Sequence, residues 1–436
     1  MRRTGLALLI VIATGGLARA QQPSGEVQTE ASPPVPIPAS TTFELHGYAR
    51  IPLAFDTTPR SPYLVDSDYY LSGFAYTRLE EPDWTELFFS AKYKDYRAKF
   101  GLFASLYSDY ATTELANQYG IAQASIEARR FLDVEALSVE AGVFWDRFGY
   151  IDAYDTYLYG RTHQGGVKVR YDFRSRGFIQ AGAGVHEAIT QQNEGMTPIA
   201  HLVGGIPIGR GQLGAYALYS WTNDQPKLSQ IKPGSLLITG LDFRYPVASW
   251  GPLYAAMARY DADNALFLAP AVELLHSSGG RGLTENFLGL TSSNNGTGSL
   301  WVGAVDWPAM FTRRIGVRVF GMTTFVTSDQ MSVMPSVNKN DRLYLKWGVE
   351  PIYMIRVGAL AASVRFDRVI LDWDDQENSF RAVSPRLRFP LATWGSLLVQ
   401  YSHYFYGDKV QLRPGQVPLE TKPDTDAFKV QAEAVW

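Results

Sequence analysis

The sequence predicts an all-β fold, a transmembrane antiparallel β-barrel of about 18 strands, and three observations carry that prediction. Two-faced runs of about ten residues recur along the chain, tight turns alternate with long polar loops between them, and a short apolar leader precedes them all. The first run, FELHGYARIPLAF at 43–55, shows the pattern. Glu44, His46, Tyr48 and Arg50 alternate with Phe43, Leu45, Ala49, Ile51 and Leu53. Successive strand side chains point to opposite faces, so one face of this strand is polar and the other greasy. In a soluble sandwich the greasy face is the core; in a membrane barrel it is the outside.

Taken in chain order, residues 1–20 carry Arg2 and Arg3, an apolar run from Leu6 to Ala13, and the small residues Ala18 and Ala20. This reads as a secretory signal peptide cut after Ala20, because the apolar run is far shorter than the ~20 residues a spanning helix needs. Residues 21–40, QQPSGEVQTEASPPVPIPAS, are proline-rich, polar and aperiodic, and read as an extended linker. The rest, 436 − 40 = 396 residues, shows no second linker or charge block, so 41–436 reads as one domain.

Composition removes several classes. Lys and Arg total 40 against 43 Asp and Glu, which gives no ground for a nucleic-acid partner. The chain has no cysteine, so packing and hydrogen bonding must stabilise it without disulfides. No apolar run of spanning length follows the leader, which excludes a helical membrane protein. Aromatic residues make up 13% of the chain, as expected where rings gather at two membrane interfaces.

The alternation places strands at 43–54, 84–93, 96–105, 123–132, 135–146, 164–173, 178–188, 196–207 and 211–222. The second half follows at 235–245, 251–261, 297–307, 313–326, 340–352, 356–369, 379–389, 395–406 and 425–436. The count is even, as single-chain bacterial barrels require. Lipid cannot satisfy an open sheet edge, so the first and last strands must pair. In the last run, DAFKVQAEAVW, Phe428, Val430, Ala432, Ala434 and Trp436 form the apolar face, and Lys429, Gln431 and Glu433 form the other. Such an aromatic ending resembles the C-terminal assembly signal of outer-membrane barrels.

A barrel of this size is wide enough for an aqueous channel. Charges predicted to face it include Glu86, Lys92, Arg97, Lys99, Glu127, Arg129, Lys168, Arg170, Asp172, Asp242, Arg244, Arg386 and Arg388. Both signs occur, which argues against strong ion selectivity.

HGYAR at 46–50 resembles the opening strand of maltoporin and related sugar-specific porins. YTRLEEPDWTELFFSAKY at 76–93 is similar to that family's approach to its second strand, through Arg78, Leu79, Trp84, Thr85, Glu86 and Leu87. AGVFWDRFGYIDAYDTYLYG at 141–160 resembles the run into the family's inward-folded third loop, with Asp155 and Tyr157 at its acidic and aromatic positions. Arg147 stands beside Phe148, where the family carries an arginine, and Val435 stands where it places an aromatic.

The resemblance implies an outer-membrane pore of a Gram-negative bacterium that passes small hydrophilic solutes, sugars or oligosaccharides, by passive diffusion. It implies Tyr48 and Trp84 as aromatic steps, and Arg50, Arg78, Glu86, Arg147, Asp155 and Tyr157 as channel-lining groups around them. It also implies a homotrimer, with lipid as the surrounding partner and no cofactor. The chemistry is coherent: a sugar ring has an apolar C–H face and a hydroxyl rim, which suit an aromatic ring and ionised side chains. Weak, repeated binding then lets the solute leave as well as enter.

Two other function classes stay open. A general or other-solute pore needs no aromatic path. An outer-membrane hydrolase needs a clustered Ser/His or Asp/His pair, and of the scattered histidines only His163 and His403, next to Ser402, merit inspection. DWDDQEN at 372–378 offers Asp372, Asp374 and Glu377 as calcium ligands, though a solvated turn is the simpler reading. LFLAPAVELLHSS, within 261–298, reads as a short helix in the longest loop, where it could plug the bore.

Overall fold

The computed structural model describes residues 41–56, 84–105, 118–147, 161–187, 196–221, 234–263, 298–327, 342–370, 373–374, 376–377, 379–407 and 425–436. The predicted leader (1–20), the linker (21–40) and nearly all of the 261–298 loop lie outside them. The first nine strands are β1 (Thr42–Asp56), β2 (Trp84–Tyr93), β3 (Tyr96–Ser105), β4 (Gln118–Arg129), β5 (Leu137–Arg147), β6 (Arg161–Asp172), β7 (Phe178–Glu187), β8 (Met196–Ile208) and β9 (Gly211–Trp221). The second nine are β10 (Ser235–Val247), β11 (Gly251–Asp263), β12 (Gly298–Met310), β13 (Ile315–Thr327), β14 (Arg342–Arg356), β15 (Leu360–Ile370), β16 (Ser379–Ala392), β17 (Gly395–Tyr406) and β18 (Thr425–Val435).

Each strand pairs antiparallel with its chain neighbours, and β1 also pairs with β18, so the 18-stranded sheet is closed. Closure satisfies every strand's backbone groups within the sheet, which hydrocarbon cannot do. At the seam Tyr48 faces Val435 and Leu53 faces Val430. One residue beyond β18, the Trp436 carbonyl accepts from the Gly47 N–H at 2.8 Å, and the Trp436 N–H donates to the Gly47 carbonyl at 3.1 Å. Among the described residues no helix is long and apolar enough to cross a membrane; strands make the crossing.

The two faces separate as alternation predicts. Phe43, Leu45, Ile51 and Leu53 of β1 are exposed on the outer wall, as are Phe100 of β3, Val167 of β6, Leu202 of β8 and Met257 of β11. Arg50, Glu86, Glu140, Asp306, Lys346, Asp367 and Lys429 lie on the inner wall and are buried. That inversion, grease outside and charge inside, marks a body solvated by lipid. One part of the inner wall departs from the expected wet interior. From β8 to β13 it is largely apolar, through Ile199, Leu218, Leu236, Ile238, Tyr260, Val302 and Phe320, all buried. These strands are therefore apolar on both faces, and alternation is blurred there.

Tight turns close one end of the barrel. β4 starts earlier than the pattern suggests and also stops earlier, at Arg129, because Arg130 adopts the left-handed conformation (φ 51°, ψ 43°) and a short 3₁₀ turn, Phe131–Asp133, follows. The β14–β15 turn falls at Val357, Gly358 and Ala359, later than predicted, with Gly358 at φ 76°. Trp250, Trp307 and Phe311 cluster at this end, the Trp250 and Phe311 ring centroids 5.3 Å apart. The cluster forms part of the aromatic belt expected at a membrane interface.

Candidate functional site

At the tight-turn mouth the inner wall carries exposed charges. There β3 to β7 enclose a cavity of about 550 Å³, lined by Arg97, Lys99, Glu127, Arg129, Glu140, Lys168, Arg170, Asp172 and Gln180, among others. Register builds this cluster. Arg97 faces Glu127 and Lys99 faces Ser125 across β3–β4, Glu127 faces Glu140 across β4–β5, and Glu140 faces Lys168 across β5–β6. Every second residue of four strands thus points to one space.

Glu140 is the hub. Its Oε2 lies 2.9 Å from Lys99 Nζ and 3.2 Å from Lys168 Nζ, while Ser125 donates to its other oxygen at 2.5 Å and Gln123 does so at 3.2 Å. Lys99 also reaches Glu127 at 3.0 Å, and Glu127 accepts from Arg129 Nε at 2.9 Å. The chain of charges lets each ion be balanced without water, and its exposed end is hydrated: Arg170 and its partner Asp172 are 38% and 49% exposed. Two cations also lie on rings, Lys168 Nζ 4.5 Å from the Phe144 centroid and Arg170 Cζ 3.8 Å from that of Phe178. Beside the cavity, Arg97 pairs with Glu44 and donates to Ser90 at 3.1 Å.

Further ion pairs stand on the inner wall. Arg365 meets Asp367 at 2.6 Å with both side chains under 5% exposed, and Arg318 meets Asp306 at 2.9 Å. Ser384 and Ser402 hydroxyls lie 2.7 Å apart. Inner-wall rings lie flat over glycines of the neighbouring strand. A Cβ on Gly101 would sit 2.5 Å from the Phe88 ring, one on Gly182 2.4 Å from His201, and one on Gly240 2.2 Å from Tyr216. Glycine thus gives each ring a place against the wall instead of in the bore.

Among the channel residues implied by the family resemblance, Tyr48 and Glu86 are direct cross-strand partners, and Arg50 faces Trp84 in the same register. Tyr48, Arg50 and Glu86 take inward register positions. Arg50 and Glu86 are only 5% and 8% exposed, so they belong to the buried wall and not to the open mouth. Arg147 ends β5 opposite Arg161. Arg78, Asp155 and Tyr157 lie outside the described residues. Sequence reading missed Glu140, Ser125, Gln123 and Gln180. The alternation of Ser138, Glu140 and Gly142 held the signal for the hub.

His403 has an acid in reach: its Nδ1 is 2.6 Å from Asp426 Oδ1, and the Tyr401 hydroxyl donates to the same oxygen. The trio faces outward, whereas Ser402 faces inward to Ser384, so the serine is on the wrong side of the wall to act with the histidine. Among the described residues no group of acids and histidines could hold a metal ion; Asp374 and Glu377 are exposed turn residues, and Asp372 lies outside the described set.

The architecture defines a closed, lipid-facing antiparallel barrel with a charged mouth. The solved structures it resembles include outer-membrane barrels. OccAB3 of Acinetobacter baumannii has 10% identity and a TM-score of 0.45, over 91% of this chain and 99% of that one. OprD of Pseudomonas aeruginosa has 9% identity and a TM-score of 0.45, over 90% and 95%. An anion-selective porin from Comamonas acidovorans has 11% identity and a TM-score of 0.45, over 91% and 100%. No family model matches the sequence, and no curated protein matches it.

Proposed function

We propose that this chain is an outer-membrane pore through which small hydrophilic solutes diffuse passively. The observation that carries the reading is the cavity at the tight-turn mouth, where hydrated ion pairs line the inside of a barrel whose outside is apolar. Alternating donors and acceptors on such a wall replace a solute's water in small steps, and no single deep site holds it.

For the solute, we carry forward sugars and oligosaccharides. The support is the sequence resemblance around Tyr48, Trp84 and Glu86, together with the pairing of rings and charges on the inner wall. The cavity itself favours a second reading, small organic anions. Arg97, Lys99, Arg129, Arg130, Lys168 and Arg170 outnumber Glu127, Glu135, Glu140 and Asp172 among the side chains that line it.

Current through the reconstituted barrel, with maltodextrin, sucrose and a small carboxylate added in turn, separates these readings. Interruption by oligosaccharide that weakens in Tyr48→Ala supports sugars. Interruption by the carboxylate alone, weakened in Lys168→Gln, supports anions. A barrel that passes no current refutes the pore itself.

A further inference from the structure

On the outer wall, Arg368 of β15 and Arg381 of β16 are direct cross-strand partners. Both sit near the end of their strands that meets the 371–378 connection, remote from the tight turns and on the face that carries Phe366. Trp347 faces Arg368 from β14, and Phe405 faces Arg381 from β17. The two cations thus lie side by side between exposed rings, at the level where hydrocarbon gives way to headgroups.

Like charges directly opposite on a sheet repel, and a lipid-facing wall screens them less than water does. Two other outward charged groups near this end have partners. Arg259 holds Asp261 at 2.8 Å, and Asp426 holds His403 and Tyr401. Among the described residues the arginine pair has no carboxylate partner. Among the described residues, Arg368 donates only to the side-chain oxygen of Gln376, at 3.1 Å, its buried Nε has no partner, and Arg381 makes no hydrogen bond or ion pair.

We propose that Arg368 and Arg381 form a site for the phosphate of a lipid headgroup in the leaflet on the long-loop side. A phosphate between two guanidiniums accepts several charge-assisted bonds at once and cancels the repulsion. The flanking rings of Trp347 and Phe405 lie beside the adjoining acyl chains, which is why a lipid is preferred to free phosphate. The inference requires the barrel to lie in a bilayer and is independent of what crosses its lumen.

The test uses the full chain in neutral detergent, with Arg368→Gln, Arg381→Gln and the double variant compared to Arg259→Gln. Folding of each is checked first by the heat-dependent gel shift. Native mass spectrometry then counts bound lipid after titration with lipid A, with dephosphorylated lipid A, or with inorganic phosphate as competitor. The expected result is retention of lipid A falling about tenfold in the double variant and unchanged in Arg259→Gln, with little retention of the dephosphorylated form. In detergent without anionic lipid, each single variant should melt higher than the parent, because repulsion is relieved. Equal retention by parent and double variant overturns the site. Competition by millimolar inorganic phosphate that removes all lipid A overturns the lipid assignment and leaves a simple anion site.

Discussion

The indole of Trp436 lies against Gly47, so close that a Cβ on the glycine would meet ring atoms at 2.6 Å and the Glu86 carbonyl at the same distance. The two residues also exchange both backbone hydrogen bonds. A side chain at position 47 therefore has to displace either a ring or a strand. Gly47→Leu is expected to block closure of the barrel, seen as loss of the folded, heat-modifiable band. Trp436→Ala keeps the backbone bonds and should cost about 1–2 kcal/mol in denaturant titration, less than for a wholly buried indole, since Trp436 is 42% exposed.

Glu140 balances Lys99 and Lys168 together. Glu140→Gln leaves both cations under-compensated on a partly buried wall, and should destabilise the barrel by about 3 kcal/mol. It should also raise the mouth's preference for anions. Reversal potentials in a potassium chloride gradient would show a shift towards chloride; an unchanged potential would place Glu140 off the ion path.

His201 lies over Gly182, and its ring nitrogens approach Gln164 at 2.9 Å and Gln180 at 3.4 Å. Gly182→Val should push the ring off the wall and towards the bore. Single-channel conductance should fall, at a stability cost of about 1–3 kcal/mol from overpacking. Gly321→Ala, where an added Cβ meets nothing within 4 Å, serves as the control and should leave conductance unchanged.

Ala248 holds φ 51° in the β10–β11 turn, a left-handed conformation that disfavours residues with a Cβ. Ala248→Gly should stabilise the fold by roughly 0.5–1 kcal/mol, because relief of that strain exceeds the added freedom of the unfolded chain. Thermal melts in detergent would register it as a rise in Tm.

Most of the architecture was legible because strand periodicity in a barrel is read twice, once by lipid and once by the lumen. β2, β3 and β17 begin and end where alternation places them. The strands from β8 to β13 also fall within three residues of their expected bounds, although their inner wall is largely apolar and Ile238 or Tyr260 contrasts little with its neighbours. Legibility failed at β4, whose end depends on Arg130 taking a left-handed conformation that nothing in its residue type demands. The site was harder still. Individual charges such as Lys99 and Lys168 could be assigned inward, but Glu140 becomes a hub only through the register of four strands.

Tyr48 and Val435 stand 435 − 48 = 387 positions apart, whereas the other paired strands are consecutive in the chain. Hairpin after hairpin can therefore zip locally, but the final ring-closing step must wait for ends separated by nearly the whole chain. Until then a half-made sheet carries two sticky margins. The seam is thus the last joint of the cylinder to form, and its slow meeting of distant ends sets the pace of maturation.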